Sequence, residues 1–286
     1  MRVRAAGVAL EVREHSPWAA GKPTVLFVHG YPDQQELWDP VLALLPGEEL
    51  HLVSYDVRGA GASDTPRNRH GYRTELLLED LAAVVAATVP DDRRVHLVGH
   101  DWGSVQLWDA VNAERGHPRL TGRIASFTAI SGPSLDRVPG RHRSRQEQLQ
   151  QLARSWYIAA FHVPVLPELY WRATAGRATP AMRAQAGGRS VWGPELARNA
   201  TNGLGLYRAN IARRLRHPGV LRTEVPVLVI HPEHDAFLTR GVYDGLDAAC
   251  TDVRLVELDA GHWVMVSHPQ RVAELVLEQV RRCAAP

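Results

Sequence analysis

The segment Gly99-His100-Asp101-Trp102-Gly103 has a carboxylate at the centre of a glycine-flanked pentapeptide. It follows the short apolar run Val95 to Val98 and precedes a segment with helical spacing that starts at Ser104. A strand, a sharp turn and a helix in this order form a nucleophile elbow, in which small flanking residues let the chain turn tightly. A carboxylate is already charged at neutral pH and can attack saturated carbon without a base. The pentapeptide therefore predicts alkyl transfer to Asp101.

Two further groups follow later apolar runs, in the chain order nucleophile, acid, histidine. Asp235 comes after the run Val225 to Ile230, and His262 comes after the run Val253 to Leu258. This order predicts that Asp235 orients and stabilises His262, which removes a proton from water. The alternative is an ordinary turn in which Asp101 only caps the following helix.

A loop that could bind an oxyanion follows the apolar run Thr24 to Val28 and reads His29-Gly30-Tyr31-Pro32. In proteins with a nucleophile elbow, this loop supplies one backbone N–H of the oxyanion hole, and the residue after the nucleophile supplies the other. We therefore expect the N–H groups of Tyr31 and Trp102 to bind the oxyanion. A plain turn is the alternative, since glycine and proline are common in loops.

Metal and dinucleotide sites fit the sequence poorly. His231 and His234 have an i, i+3 spacing on a loop with no third ligand cluster, so we expect surface histidines. The run Gly59-Ala60-Gly61-Ala62-Ser63 resembles half of a dinucleotide fingerprint, but Asp64 stands where a third glycine or alanine is needed. Two cysteines are too few for a zinc cluster or a disulfide framework. We expect neither a metal nor a cofactor.

The elements that must position these groups are short runs rich in valine and isoleucine, typical of parallel strands buried on both faces. The runs are Thr24 to Val28, Leu50 to Tyr55, Val95 to Val98, Ile124 to Ile130, Val225 to Ile230 and Val253 to Leu258. Segments of helical period alternate with them, as in Glu75 to Thr88 and Arg271 to Arg281. Alternation around Gly7 in Arg2 to Arg13 predicts an antiparallel hairpin at the sheet edge. The pattern predicts an α/β fold with a mostly parallel sheet and helices on both faces.

The alternation of strands and helices stops between Ile130 and Val225, and the chain there has no convincing buried strand. Two helices are predicted in this insertion, Gln148 to Phe161 and Pro194 to Leu215, with Pro194 in a first helical turn. We expect a helical cap over the carboxyl ends of the strands, where open α/β sheets bind ligands. The predicted boundaries are residues 1–132 and 223–286 for the core and 133–222 for the cap.

Composition and charge narrow the function classes further. The 286 residues are 45% apolar and 22% charged, which is typical of folded soluble proteins and excludes disorder as the main state. No run of 18 apolar residues and no apolar leader is present, so we expect a cytoplasmic protein without a membrane span. Residues 133–222 contain 15 arginines and four acids. They carry no nucleic-acid motif, and we expect no nucleic-acid partner. The sequence does not predict the oligomeric state.

Four segments together resemble the epoxide hydrolases of the α/β-hydrolase fold, and the likeness covers nearly the whole chain. They are His29-Gly30-Tyr31-Pro32, the run from Asp56 to Pro66, Gly99-His100-Asp101-Trp102-Gly103, and Gly261-His262-Trp263. Within the family, the sequence is most similar to the hydrolase half of actinobacterial proteins that continue into a short-chain reductase domain. The resemblance implies the α/β-hydrolase fold with an inserted helical cap, in a free-standing relative or an excised domain of such a fusion.

Members of this family hold the epoxide oxygen with two tyrosines of the cap. Ser155 to Phe161 resembles the first tyrosine segment and Leu206 to Arg208 the second, which implies these roles for Tyr157 and Tyr207. Tyr170 is a nearby rival, and buried core aromatics are the alternative for both. The implied substrate is a small apolar epoxide, with Tyr31, Trp102 and Phe161 among its contacts. Further apolar candidates for the lining of the cap are Val163, Val165, Leu166, Trp171 and Trp192.

The resemblance implies that Asp101 opens the epoxide to an ester and that His262 with Asp235 activates the water that hydrolyses it to a vicinal diol. A haloalkane dehalogenase shares this triad, but often has an asparagine halide donor where Tyr31 stands here. Fluoroacetate dehalogenases usually have arginine after the nucleophile, where this chain has Trp102. A catalytically idle ligand-binding domain is the third alternative, although a binder needs none of the triad or oxyanion positions.

Overall fold

The structure is a computed structural model that describes residues 1–137, 144–174 and 176–284. Its strands form a single eight-stranded sheet with the order β1-β2-β4-β3-β5-β6-β7-β8. The strands are β1 (Arg2–Ala5), β2 (Val8–Glu14), β3 (Thr24–Val28), β4 (His51–Tyr55), β5 (Val95–His100), β6 (Ile124–Ile130), β7 (Val227–Pro232) and β8 (Val253–Leu258). β1 and β2 form the antiparallel hairpin at one edge, and β2 pairs antiparallel with β4. The strands from β3 to β8 all run parallel to one another.

The central strands are buried along their whole length, from the first to the last residue of each strand from β3 to β7. This burial explains why their sequences are continuous apolar runs. The predicted bounds of β3, β6 and β8 match at both ends, and those of β4 and β5 differ by one or two residues. β7 starts two residues later than predicted, after Pro226, which has no N–H to donate to a ladder.

The described helices of the core lie before β6 or after β7. They are α1 (Asp39–Leu42), α2 (Thr74–Thr88), α3 (Trp102–Ala113), α9 (Val264–Ser267) and α10 (Pro269–Cys283). α2 and α3 pack against each other, and α1, α9 and α10 form a second packed group. The largest fully buried side chains, among them Trp38, Trp108 and Phe127, lie in the core between these helices and the sheet.

Between β6 and β7, the described residues form the inserted helices, the name used below for α4 through α8. They are α4 (Arg145–Arg154), α5 (Trp156–His162), α6 (Leu166–Ala173), α7 (Pro180–Gln185) and α8 (Leu196–Arg216). The predicted single helix from Gln148 to Phe161 is two helices that meet at Ser155, and Pro194 precedes α8 instead of lying in its first turn. α6 and α7 were not predicted, because helices of eight and six residues are too short to show a clear period.

Residues 138–143 and 175 of the predicted cap lie outside the described residues. In the described part of the chain, no helix has both the length and the apolar character needed to cross a bilayer.

Candidate active site

The elbow between β5 and α3 holds Asp101 in a backbone conformation that few residues adopt, with φ of 50° and ψ of −120°. Its N–H donates to the carbonyl of Ile130 on the neighbouring strand at 3.0 Å. The turn brings Gly103 against β3 so closely that a Cβ there would collide with the carbonyl oxygens of Val28 and His29. Only glycine fits this close approach, and the tight turn points the Asp101 side chain away from the sheet.

Three loops after strands bring Asp101, Asp235 and His262 together. Nδ1 of His262 donates to Oδ2 of Asp235 at 2.9 Å, and Nε2 lies 3.8 Å from Oδ2 of Asp101. The other oxygen of Asp235 accepts the N–H groups of Phe237 at 2.8 Å and Leu238 at 3.1 Å. Asp235 therefore orients the imidazole, with Nε2 facing the Asp101 carboxylate at more than hydrogen-bond length.

The oxyanion loop contacts the same carboxylate. The N–H of Tyr31 donates to Oδ1 of Asp101 at 2.8 Å, and the N–H of Trp102 also hydrogen-bonds this side chain. Two backbone N–H donors directed at one carboxylate stabilise negative charge on it. Oδ2 of Asp101 faces Nε2 of His262 at 3.8 Å, and the Asp101 side chain is 17% exposed.

Burial and charge set the ionisation of the triad. Burial would lower the pKa of His262, but the carboxylates of Asp235, Asp101 and Asp33 raise it above its ordinary value. Burial would raise the pKa of Asp235, but the His262 charge and three hydrogen bonds hold it below its usual range. For Asp101 burial prevails, and its pKa is raised despite His262 and the two N–H donors. Both shifts are in the direction that stabilises the charged forms of His262 and Asp235 relative to the same groups in water.

Tyr157 on α5 and Tyr207 on α8 lie over Asp101, with ring centroids 6.0 Å apart. Two cavities of about 420 and 640 Å³ meet here, and Asp101, Tyr157, Tyr207 and Phe237 contact both. Burial is the main cause that raises the pKa of both phenols. The negative charge of Asp101 comes next for Tyr157, and for Tyr207 it follows the Tyr157 phenol. Both phenols therefore stay protonated at neutral pH and can donate hydrogen bonds.

The remaining predicted contacts lie around this junction. Phe161 and Tyr31 line the 420 Å³ cavity, with ring centroids 5.4 Å apart, and Trp102 lines the other cavity. Tyr170, the rival tyrosine, lies at the exposed mouth of the 420 Å³ cavity and is 55% exposed. Val163, Leu166 and Trp171 line the same cavity, whereas Val165 and Trp192 do not.

A buried carboxylate that the sequence reasoning missed lies behind the histidine. Asp33 accepts the indole N–H groups of Trp192 at 2.7 Å and Trp263 at 3.0 Å. Its Oδ2 lies 3.6 Å from Nδ1 of His100, whose Nε2 donates to the carbonyl of His262 at 3.1 Å. These contacts hold the pKa of Asp33 below its usual range despite burial. The sequence signal for Asp33 is its position directly after the oxyanion loop, which places it close to the predicted site.

The inserted helices also hold the loops of the acid and the histidine. On α4, Arg154 donates to the carbonyl of Asp235 at 2.6 Å, and Gln151 donates to the carbonyl of Phe237 at 2.8 Å. On α7, Oε1 of Gln185 accepts the N–H groups of Ala236 and His262, both at 3.0 Å. Gln185 thus bridges the two loops. No local sequence pattern predicted this role.

The close approach of α7 depends on a glycine next to the histidine. A Cβ at Gly261 would lie 2.5 Å from the Gln185 carbonyl oxygen, which accepts the N–H of Trp263 at 3.2 Å.

His231 is not at the surface, contrary to the prediction. It is buried in β7, with its ring 5.7 Å from that of Tyr243, because the strand extends past Ile230 and carries it into the core. His234 is exposed and hydrogen-bonds Asp259 at 2.8 Å. Among the described residues, no three histidine, cysteine, aspartate or glutamate side chains are placed to hold a metal ion.

The sheet order and the elbow after β5 are typical of a hydrolase-type core, and comparison with known proteins assigns the chain to a family. The family described as alpha/beta hydrolase fold matches residues 23–269. The chain belongs to the α/β-hydrolase fold family, which confirms the predicted fold class.

The chain is similar to a protein of Mycobacterium tuberculosis named "Probable oxidoreductase EphD", at 34% identity over 272 residues. The match covers 89% of this chain and 45% of that protein, so the chain spans about half the length of this relative. It is also similar to epoxide hydrolase 3 of Xenopus tropicalis, at 28% identity over 89% of this chain and 70% of that one. A crystal structure of Bacillus megaterium epoxide hydrolase with an inhibitor superposes with a TM-score of 0.76 at 20% identity, covering 98% of this chain and 100% of that one.

Proposed function

We propose that this chain is an epoxide hydrolase that opens an apolar epoxide to a vicinal diol through an ester on Asp101. In this proposal residues 133–222 form a cap over the site. The names of relatives such as epoxide hydrolase 3 support the reaction. So does the choice of nucleophile, because an ionised carboxylate displaces a leaving group at saturated carbon.

The observation that carries the proposal is the pair of buried phenols above the carboxylate. An epoxide oxygen gains negative charge as its bond to carbon breaks, and it remains attached to the substrate. Tyr157 and Tyr207 both contact the cavities that meet at Asp101, with pKa values raised by burial. Protonated phenols in a low-dielectric site are suitable donors for this developing alkoxide.

In the first step, Oδ2 of Asp101 attacks one epoxide carbon, and the bond from that carbon to the ring oxygen breaks. One phenol transfers its proton to the ring oxygen, which becomes the first hydroxyl group. The products of this step are an ester between Asp101 and the substrate, and a tyrosinate. His262 takes no proton here, consistent with its 3.8 Å separation from Asp101.

In the second step, water attacks the carbonyl carbon of the ester while Nε2 of His262 accepts its proton. The N–H groups of Tyr31 and Trp102 bind the oxyanion on Asp101. Collapse of this intermediate expels the diol oxygen, which takes the proton from His262. The proton that remains on the Asp101 carboxyl group returns to the tyrosinate, so water and epoxide yield one diol.

The test is incubation with styrene oxide, a simple aryl epoxide, and detection of the diol. A single turnover in ¹⁸O-labelled water should place the label in Asp101, because water attacks the ester carbonyl and not the substrate carbon. Asp101→Ala should abolish turnover while circular dichroism stays unchanged, since no other nucleophile can replace the carboxylate. Halide release from haloalkanes without diol formation would instead identify a dehalogenase, and no reaction with either would indicate a binding domain.

A further inference from the structure

The outer face of the inserted helices carries a continuous apolar surface. Eight of the thirteen large apolar side chains that are exposed among the described residues lie within residues 149–170. Six of them form what we call the apolar rim, and each is at least 50% exposed. They are Leu149, Leu152, Trp156, Leu166, Leu169 and Tyr170. Such a concentration is unusual for a surface that contacts only water.

Spacing and shared contacts make the rim continuous. Leu149, Leu152 and Trp156 follow one another at helical spacing along α4 and the start of α5, and the other three lie on one face of α6. Trp156, Leu166 and Tyr170 line the 420 Å³ cavity and are also exposed, so they form its mouth. Half of the apolar rim therefore lies at the mouth of a cavity that Asp101 also lines.

Two arginines flank the rim. Arg145 lies one turn before Leu149 on α4, and Arg172 lies three residues after Leu169 on α6. Within the described ranges, neither arginine has a carboxylate at salt-bridge distance. The acids of the inserted segment have other closest partners, since Glu168 pairs with Arg208 at 2.6 Å and Glu195 with Arg198 at 2.8 Å. Asp136 pairs with Arg214, and Glu147 hydrogen-bonds Ser144 at the start of α4.

We propose that the apolar rim docks onto the surface of an anionic lipid bilayer, with Trp156 and Tyr170 at the headgroup level and the arginines against the lipid phosphates. Apolar burial together with attraction to anionic lipid is how peripheral proteins bind membranes, and tryptophan and tyrosine are enriched at this depth. A bilayer that covers the cavity mouth can also deliver a ligand dissolved in it, whereas a protein in this place would close the mouth. Delivery of an apolar epoxide depends on the proposed function; docking does not.

The experiment is flotation of the full chain, without substrate, with vesicles of phosphatidylcholine alone or mixed with phosphatidylglycerol. We expect binding to the mixed vesicles, weakened by high salt because exposed charges are screened. Arg145→Gln with Arg172→Gln should lower the partition coefficient by about fivefold for each arginine. Leu149→Ser with Leu169→Ser should lower it by about tenfold or more, since both side chains leave the apolar phase.

Matched controls lie at the amino ends of the strands, on the opposite side of the molecule. Trp18→Ser with Leu44→Ser, and Arg93→Gln with Arg281→Gln, should leave vesicle binding unchanged. Leu149 and Leu169 line neither cavity, so hydrolysis of a water-soluble epoxide by their double variant reports intact folding. That assay also separates failure of docking from failure of the proposed reaction.

Absence of binding to the mixed vesicles would overturn the proposal, as would binding that the control variants weaken and the rim variants do not. Analytical sedimentation tests whether the apolar rim instead binds a second copy of this chain. A dimer of the wild-type chain that becomes monomeric in Leu149→Ser with Leu169→Ser would show that the rim binds a second copy instead of lipid.

Discussion

The sheet core and the inserted helices contribute to the same site by different physical means. In the core, β3 through β7 are buried throughout, and the triad stands on loops that these strands hold in place. The inserted helices contribute Tyr157, Tyr207 and the hydrogen bonds of Gln185, but expose much apolar surface. Packing of fully buried strands supplies the rigidity of the first region, whereas the second combines buried residues such as Trp171 and Leu204 with polar contacts to the loops of the core. We therefore expect substitutions of core residues to abolish a chemical step, and substitutions in the inserted helices to slow one.

The largest effect should follow the loss of the core histidine. In His262→Gln, Asp101 can still be alkylated, but water loses its general base, so ester hydrolysis should slow by about 10²- to 10⁴-fold. Mass spectrometry after addition of epoxide should show protein heavier by one substrate. His234→Gln is the control, because that histidine is exposed and hydrogen-bonds Asp259. An unmodified mass for His262→Gln would argue against the two-step route.

The phenols of the inserted helices should matter for the first step alone. Tyr157→Phe and Tyr207→Phe should each slow ester formation by about 10- to 100-fold. This range corresponds to the loss of one hydrogen bond to a developing charge, which is worth about 1.5 to 3 kcal/mol. Pre-steady-state kinetics measures this step, and ester breakdown should change little. Tyr72→Phe is the control, since its hydroxyl is buried without a partner among the described residues. Wild-type rates in both single variants would make the two tyrosines packing residues.

A smaller effect is expected from the contact between α7 and the triad loops. Gln185→Met keeps the length of the side chain but removes the acceptor for the N–H groups of Ala236 and His262. Ester hydrolysis should slow by about 3- to 10-fold, as for the loss of about 1 kcal/mol, with little change in ester formation. Gln150→Met, on the exposed side of α4, should change neither rate. Equal slowing of both steps would indicate general damage to the fold.

The smallest expected effect is a change in the pKa of His262, which depends on the carboxylates around it. Asp235, Asp101 and Asp33 all raise the pKa of His262, while burial lowers it and the His100 ring lies 4.7 Å away. Removing one negative charge disfavours the imidazolium, so Asp101→Asn should lower the pKa of His262, as measured by NMR titration. Asp235→Asn should lower it further. Esterification of Asp101 removes the same charge, so the base form of His262 should persist to lower pH in the ester. A pKa raised by Asp101→Asn would contradict this coupling.

The sequence alone determined the fold class and supplied the candidate residues of the core that the proposed function uses. The signals for these residues are local, because each one lies next to an apolar run that forms a strand. They are the glycines around Asp101, the oxyanion loop at Tyr31, and the chain order of Asp235 and His262. Strand ends in a parallel sheet meet at one edge, which brings such loops together whatever lies between them. Tyr157 and Tyr207 were predicted from a family resemblance, and not from periodicity.

Only the tertiary structure decided how the inserted helices meet the core. The hydrogen bonds of Gln185 span 51 and 77 residues of the chain, and the bond from Trp192 to Asp33 spans 159. Short helices such as α6 and α7 leave no clear period in the sequence, so their packing depends on side chains distant in the chain. The apolar rim is likewise a property of the folded chain, because the same leucines would be read as buried residues from helical spacing alone.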